Sequence, residues 1–423
     1  MYNSTFSSTL SANTTTCQAS GSYTTYRNTL ISDGVAGGTA TTIADDWCTR
    51  QARADAIRAA QNAADASAST KWITFDSYGT GARPKIQPGG SVKYAFHFDP
   101  ANLFEAFKIK NIDLDDADVA GIFVERHAAN VKSHGLWIEN VRITNVTGVT
   151  IDGTGTYPGA EPNYIGLFAL GIDTVLIDQV RIKDVEVTSS DAPISLFGAD
   201  SAWISGGNFH DSFVNGLFLQ GIGNATPLIT GATYVTPIQN ALIETTLISN
   251  MGSTTGYAKG VSGLLFANSR DFIVDNTEIT LSKINVADGV AIDLEGNIGP
   301  DISSNVIPWI GIVQNSNLHA NAGAAFLSND STSNGSNAAS RMLFDNNLFT
   351  GNATSGGGAA LPAIMGERTG LSNHDKIFTN CNVAKSASGA FLWGWDATHA
   401  YTPMTNSTPS GYTFGASNSV HFP

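Results

Sequence analysis

A six-residue segment with an apolar residue at each end recurs eight times along this chain. The copies are IKNIDL at Ile109, IENVRI at Ile138, IDQVRI at Ile177, ISGGNF at Ile204, IETTLI at Ile243, VDNTEI at Val274, VQNSNL at Val313 and FDNNLF at Phe344. Their starts lie 29, 39, 27, 39, 31, 39 and 31 residues apart. Polar or small residues, often Asn, fill the middle. A repeat of this length marks a supersecondary unit that cannot bury a core alone and must stack on its neighbours. Alternation with β-branched residues makes the unit a strand rather than a helix pair. The expected fold is therefore all-β, a single-stranded parallel β-helix of about ten coils.

A second series supports this. A Gly precedes a short run of alternating apolar residues in GIFVER at Gly121, GLFLQG at Gly216, GLLFAN at Gly263, GVAIDLEG at Gly289, GAAFLSN at Gly323 and GAFLWGW at Gly389. Gly suits a tight bend before a strand because it tolerates positive φ. Residues two apart on a strand share a face. With Val290, Ile292 and Leu294 turned inward, Asp293 and Glu295 turn outward. A slip of one residue would reverse this.

At 423 residues with 42% hydrophobic content the chain can bury a large core, and a solenoid can use that length as one domain. Only 14% of residues are charged, so the polar surface must be mainly Asn, Ser and Thr. A net charge of −14 argues against nucleic acid and anionic membrane surfaces as partners. No apolar run approaches the roughly 20 residues that span a bilayer, and no basic-then-apolar leader opens the chain.

Residues 1–45 are rich in Ser, Thr, Asn and Gly and read as a leader or linker. Residues 45–68 form the one expected helix, Ala-rich and capped by Asp45 or Asp46. Its expected job is to cap the N-terminal end of a β-helix domain over residues 46–400, because the ends of a solenoid expose apolar core. Residues 401–423 would close the other end. Cys17 and Cys48 could form a disulfide, whereas Cys381 sits in a strand-like run and reads as a small core residue.

The phrase WITFDSYGTGARPKI over residues 72–86 resembles the first coil of secreted right-handed parallel β-helix proteins, in which a similar phrase follows a helical cap. DGVAIDLEGN over 288–297 and VQNSNLHANAG over 313–323 resemble a later pair of coils in the same pectin-lyase-like superfamily. That superfamily includes pectate lyases, polygalacturonases, alginate epimerases and phage tailspikes. The resemblance covers about residues 45–400. It implies a secreted or virion-surface location and polysaccharide as partner, and tailspikes bring in the homotrimer as one assembly. It does not select a reaction, since fold does not fix function.

Candidate chemistry centres on Asp288, Asp293 and Glu295. Asp293 and Glu295 stand two apart on one strand, with Cα atoms roughly 6.5–7 Å apart. Glycoside hydrolysis needs an acid and a base or nucleophile whose carboxyl groups lie about 5–5.5 Å apart for retention or about 6.5–9.5 Å for inversion. Either no cofactor is needed, or Asp288 and Asp293 hold Ca²⁺ through their oxygens. The competing reading is solvated surface acids. His319, one coil on, is a candidate base or substrate donor; its rival is a turn residue, like His210 in NFHDS. Trp393 and Trp395 align with Asp293 and Glu295 and suit a sugar platform, or else are covered by the C-terminal segment. Glu125 and Gln220 extend the same outward column, and Arg368 is the cation best placed for an acidic sugar. The tripeptide RIK at Arg181 resembles a polygalacturonase motif but lacks that family's companion residues. The expected function is an extracellular polysaccharide lyase or glycoside hydrolase with a groove along the β-helix face. A non-catalytic glycan-binding or tail-fibre shaft is the alternative.

Overall fold

The computed structural model describes residues 2–32, 34–67, 72–89, 92–98, 105–124, 133–146, 165–170, 177–197, 199–220, 238–252, 260–267, 269–283, 287–295, 310–329, 340–352, 365–368, 374–384, 392–395, 401–404, 412–414 and 419–421. Their strands form three sheets, each with eleven strands in sequence along its main path, so the chain visits each sheet once per turn. The first sheet runs from Ile73–Phe75 to Tyr412–Phe414, the second from Lys85–Ile86 to Ser419–His421, and the third from Tyr94–Phe98 to Tyr401–Met404. Pairing is parallel throughout, except that Tyr401–Met404 runs antiparallel to Leu392–Trp395. This is the parallel β-helix that the repeat implies. Residues 401–423 supply the last strand of every sheet.

The six-residue segment turns out to be a corner. Ile109, Ile138, Ile182, Ile204, Ile243, Val274, Val313, Phe344 and Phe378 pair in one column of the first sheet. Each belongs to the central core. The last residue of each segment, such as Leu114, Ile143 or Phe209, instead belongs to the second sheet. Between them one residue takes positive φ: Asn111, Asn140, Asp184, Gly206, Thr245, Asn276, Asn315, Asn346 or Asn380. Asn tolerates this left-handed conformation better than most residues. Its amide also joins coils: Asn140 Nδ2 donates to Asn111 Oδ1 (2.6 Å) and Asn346 Nδ2 to Asn315 Oδ1 (2.8 Å). Two corrections follow. The third copy is anchored at Ile182 and not at Ile177, which pairs instead with Ser133 and Ala199. A further copy, FTNCNV, begins at Phe378.

In the second series Gly289 takes the positive φ expected of it (64°), whereas Gly216 and Gly263 answer to crowding. A Cβ on Gly216 would lie 1.9 Å from the Gly263 carbonyl oxygen, and one on Gly263 would lie 2.4 Å from Ile279. Cys381 is buried in the core, its Sγ donating to the Phe344 carbonyl at 3.4 Å. Burial pushes the thiol up to about 12.

The N-terminal region differs most from expectation. Residues 1–45 are not a structureless leader, for Tyr2–Gln18 and Gly21–Ser32 are helices. The expected helix starts earlier, spanning Gly37–Ala66. Its thirty residues make about 45 Å of rod. The rod lies along the flank of the solenoid instead of over its end. Its contacts climb the first sheet coil by coil: Asp65 with Lys108, Gln61 with the Ser201 carbonyl, Arg58 with Glu244, Arg50 with Asp271 and Gln51 with Gln314. The cause is the outer column of that sheet, which is apolar at Trp203, Leu242, Ile273, Ile312, Leu343 and Ile377. These residues share one cluster with Tyr26, Leu30, Ile43 and Ile57 of the helices. The expected end cap is therefore corrected: Phe75, in the inward column of the first coil, is 46% exposed. Cys17 and Cys48 are joined, with a Cα separation of 5.6 Å, and tie the first helix to the third.

Candidate functional site

The three outer faces of the solenoid have different fates. The first is covered by the helices. The second carries a polar surface with two similar stations. His210 Nε2 lies 3.3 Å from Glu186 Oε1 and its Nδ1 lies 2.7 Å from Asp211 Oδ2. The hydrogen bond from His210, and a second from Asn250, hold the Asp211 carboxyl below its ordinary range. Three coils on, His319 Nε2 lies 2.8 Å from Glu278 Oε1, with Thr280 Oγ1 at 3.5 Å from Nδ1. His210 and His319 occupy one column of this sheet, with Ser249 and Thr280 between.

The third sheet is built differently. Its outward column pairs His97, Phe123, Phe168, Ser195, Phe218, Leu265, Asp293, Leu327, Gly366 and Trp393 in order. The inward neighbours along the strands, Leu217 and Leu219 or Ile292 and Leu294, lie in the central core, which fixes the outward direction of Phe218 and Asp293. Asp293 is only 3% exposed, set between Leu265 at 8% and Leu327 at 2%. A carboxylate in such company is costly unless something interacts with it.

The register settles several expectations. Glu295 follows Asp293 on Ala287–Glu295 and shares its column with Gln220, Ala267 and Asn329. Trp393 falls in the Asp293 column, as the Gly-anchored alignment implies, and Trp395 pairs with Arg368. The Glu295, Trp393, Trp395 and Arg368 side chains lie outside the described residues, as does Glu125 altogether. Val290 departs from its expected place: it packs with Ala324 and Leu327 in a small separate cluster, because the register shifts just before it.

One expectation is corrected. His319 does not join the acids: it sits on the second sheet and pairs with Glu278. Asp288 pairs with Val261, before the register shift that precedes Asp293, and its side chain lies outside the described residues. Among the described residues no group of three or more His, Cys, Asp or Glu is placed to hold a metal.

Sequence reading missed Glu278 and Glu186 as histidine partners. It also missed Asp191, at the bend before Ala192–Phe197, whose carboxyl burial pushes up to about 8.

No family model matches the sequence, and no curated protein matches it. Among solved structures the chain is similar to native GH136 lacto-N-biosidase from Eubacterium ramulus, with a TM-score of 0.52 and 11% identity, covering 84% of this chain and 59% of that one. It is also similar to the Agl-KA catalytic domain (TM-score 0.45, 11% identity, 88% of this chain and 65% of that one). A third is DFA-IIIase from Arthrobacter chlorophenolicus A6 in complex with DFA-III (TM-score 0.38, 12% identity, 89% of this chain and 88% of that one). The chain thus spans less than two thirds of the length of the first two. What it shares with the lacto-N-biosidase is the fold.

Proposed function

We propose that this chain is a secreted glycan-cleaving enzyme, a glycoside hydrolase, whose cleavage site lies on the outer face of the third sheet at Asp293 and Glu295. The observation that carries the reading is Asp293, a carboxylate 3% exposed on an outward column between two leucines, in a chain with few charges. Glu295 follows two residues on, where the long connection 296–309 begins. Two carboxylates at that spacing can supply an acid and a base or nucleophile to one glycosidic bond. The likeness in fold to a solved lacto-N-biosidase agrees with a carbohydrate substrate. So does the resemblance to the pectin-lyase-like superfamily. Paired carboxylates favour hydrolysis over elimination, which would need a cation to neutralise a uronate before proton removal.

The test is incubation with a panel of bacterial, algal and plant polysaccharides, following reducing ends and near-ultraviolet absorbance of unsaturated products together. Reducing ends without absorbance support hydrolysis. Both signals together would make the enzyme a lyase. Binding without either signal would make it a glycan-binding shaft.

A further inference from the structure

The outer face of the second sheet repeats itself after three coils. Phe209, Ile248, Ile279, Leu318 and Phe349 lie in the core, so the residues on either side of them face outward. In one outward column Glu186, Asn208 and Leu247 are followed by Glu278, Asn317 and Leu348. In the other, His210 and Ser249 are matched by His319 and Thr350. The repeat distance is roughly 14 Å, at about 4.8 Å per coil. The match is confined to the face, for the positive-φ corner beside it holds Asp211 after His210 but Ala320 after His319. At each station the glutamate and histidine side chains stay open to solvent: Glu186 and His210 are 33% and 24% exposed, Glu278 and His319 48% and 27%. At each, too, the same atom goes unmet, since Oδ1 of Asn208 and of Asn317 has no hydrogen-bond partner. Exposed ion pairs contribute little stability, so stability gives little reason to build the same station twice.

We infer that these stations are two subsites of a glycan-binding face, separate from the proposed cleavage site, and that the ligand is a hexosamine oligomer with free amino groups. Charge selects it. Arg142 meets Glu186 at 3.3 Å, but among the described residues no lysine or arginine meets Glu278. With a chain charge of −14, the face repels uronates and attracts ammonium groups. An amino group donates charge-assisted hydrogen bonds to a carboxylate and supplies the donor that the asparagine oxygen lacks. Leu247 and Leu348, half-buried one coil beyond each asparagine, offer an apolar bed to the C–H face of a sugar ring. A basic peptide would need carboxylates alone, whereas each station adds an imidazole, a hydroxyl and an amide, which suit a ligand rich in hydroxyls. One sugar cannot reach both stations, so an oligomer lying along the solenoid axis gains by bridging them.

The test is calorimetric titration of the full chain, at low ionic strength, with hexamers of glucosamine, of N-acetylglucosamine and of galacturonic acid. The glucosamine hexamer should bind most tightly. Glu186→Gln or Glu278→Gln should each weaken it about tenfold or more by removing the bridge, and should change binding of the glucosamine monomer far less. Asp55→Asn, which removes an acid 55% exposed on the long helix, should leave the affinity unchanged. Melting temperatures of all variants confirm that each is folded. Equal weakening by Asp55→Asn would mean that net charge alone attracts the ligand, and would overturn the assignment. So would unchanged affinity in both glutamate variants, equal or tighter binding of the acetylated hexamer, or no binding of any hexamer. An oligolysine that binds as tightly as the glucosamine hexamer would make this a peptide surface instead. Binding that vanishes in Asp293→Asn would move the ligand to the third sheet and overturn the second-sheet site, whereas an Asp293→Asn chain that still cleaves glycans would sink only the proposed cleavage site.

Discussion

Asp191 shows how much one residue can conceal in a sequence. In SSDAPIS it looks like an ordinary turn acid. In the structure it is buried at a bend, and loss of hydration pushes its carboxyl up to about 8. An unfolded Asp titrates at about 3.9, so between roughly pH 4 and pH 8 the folded chain holds a proton that the unfolded chain has lost. This contribution to stability is therefore greatest below about pH 4 and falls as pH rises towards 8, by at most about 1.4 kcal/mol per pH unit. Asp191→Asn should remove that slope and leave the protein more stable at neutral pH. Denaturant unfolding across this range checks it, and parallel pH profiles for variant and parent would count against it. Gly216 makes the opposite case, for its Gly-anchored series was legible but its reason was not. The expected positive φ is absent, and the Gly263 carbonyl leaves no room for a side chain. Gly216→Ala should destabilise the fold by about 1–3 kcal/mol, the range for overpacking, measured as a shift in the urea midpoint.

Among elements, the repeat was legible because inward Ile, Val and Phe recur against a polar background. The corner inside each segment was less so. Alternation across IKNIDL reads as one strand, yet positive φ at Asn111 divides it between two sheets. The copy at Ile177 was misplaced because both Ile177 and Ile182 begin plausible segments, and only pairing with Ile138 and Ile204 separates them. The first two helices were hidden for a different reason. They are rich in Ser and Thr, which form helices poorly in isolation. Thr14, Thr15 and Thr16 turn their hydroxyls back to carbonyls four residues earlier. Docking on the first sheet and the bond from Cys17 to Cys48 supply what propensity lacks. Breaking that disulfide, by reduction or Cys48→Ser, should cost about 2–4 kcal/mol. Unchanged thermal unfolding under reductant would show that docking alone holds the helices. Arg50 and Asp271, paired at 2.6 Å with side chains 4% and 7% exposed, fasten the long helix midway. Arg50→Ala should cost about 1.5–3 kcal/mol, the range for a hydrogen bond to a charged group, because Asp271 keeps Arg53 Nη2 at 3.7 Å; it is read as a fall in the melting midpoint.

At the scale of the molecule, three sheets receive three different outer faces. The first takes helices because its outer column is apolar from Trp203 to Ile377. The second stays polar and mostly half-buried, with its histidine–glutamate stations. The third buries Asp293 among apolar residues. The scaffold could be read from the repeat, but which face does chemistry could not, because that depends on how coils register. The place of Asp293 opposite the inward Ile292 and Leu294 was legible; the removal of His319 to another sheet was not, since chain proximity says nothing about which sheet a residue joins. The decisive measurement is glycan depolymerisation by Asp293→Asn and Glu295→Gln beside the parent, with melting temperatures recorded on the same samples. Loss of a positioned acid or base should lower the rate by about 10²–10⁴-fold with the fold retained. Parental rates in both variants, on a glycan that the parent cuts, would contradict a cleavage site on the third sheet.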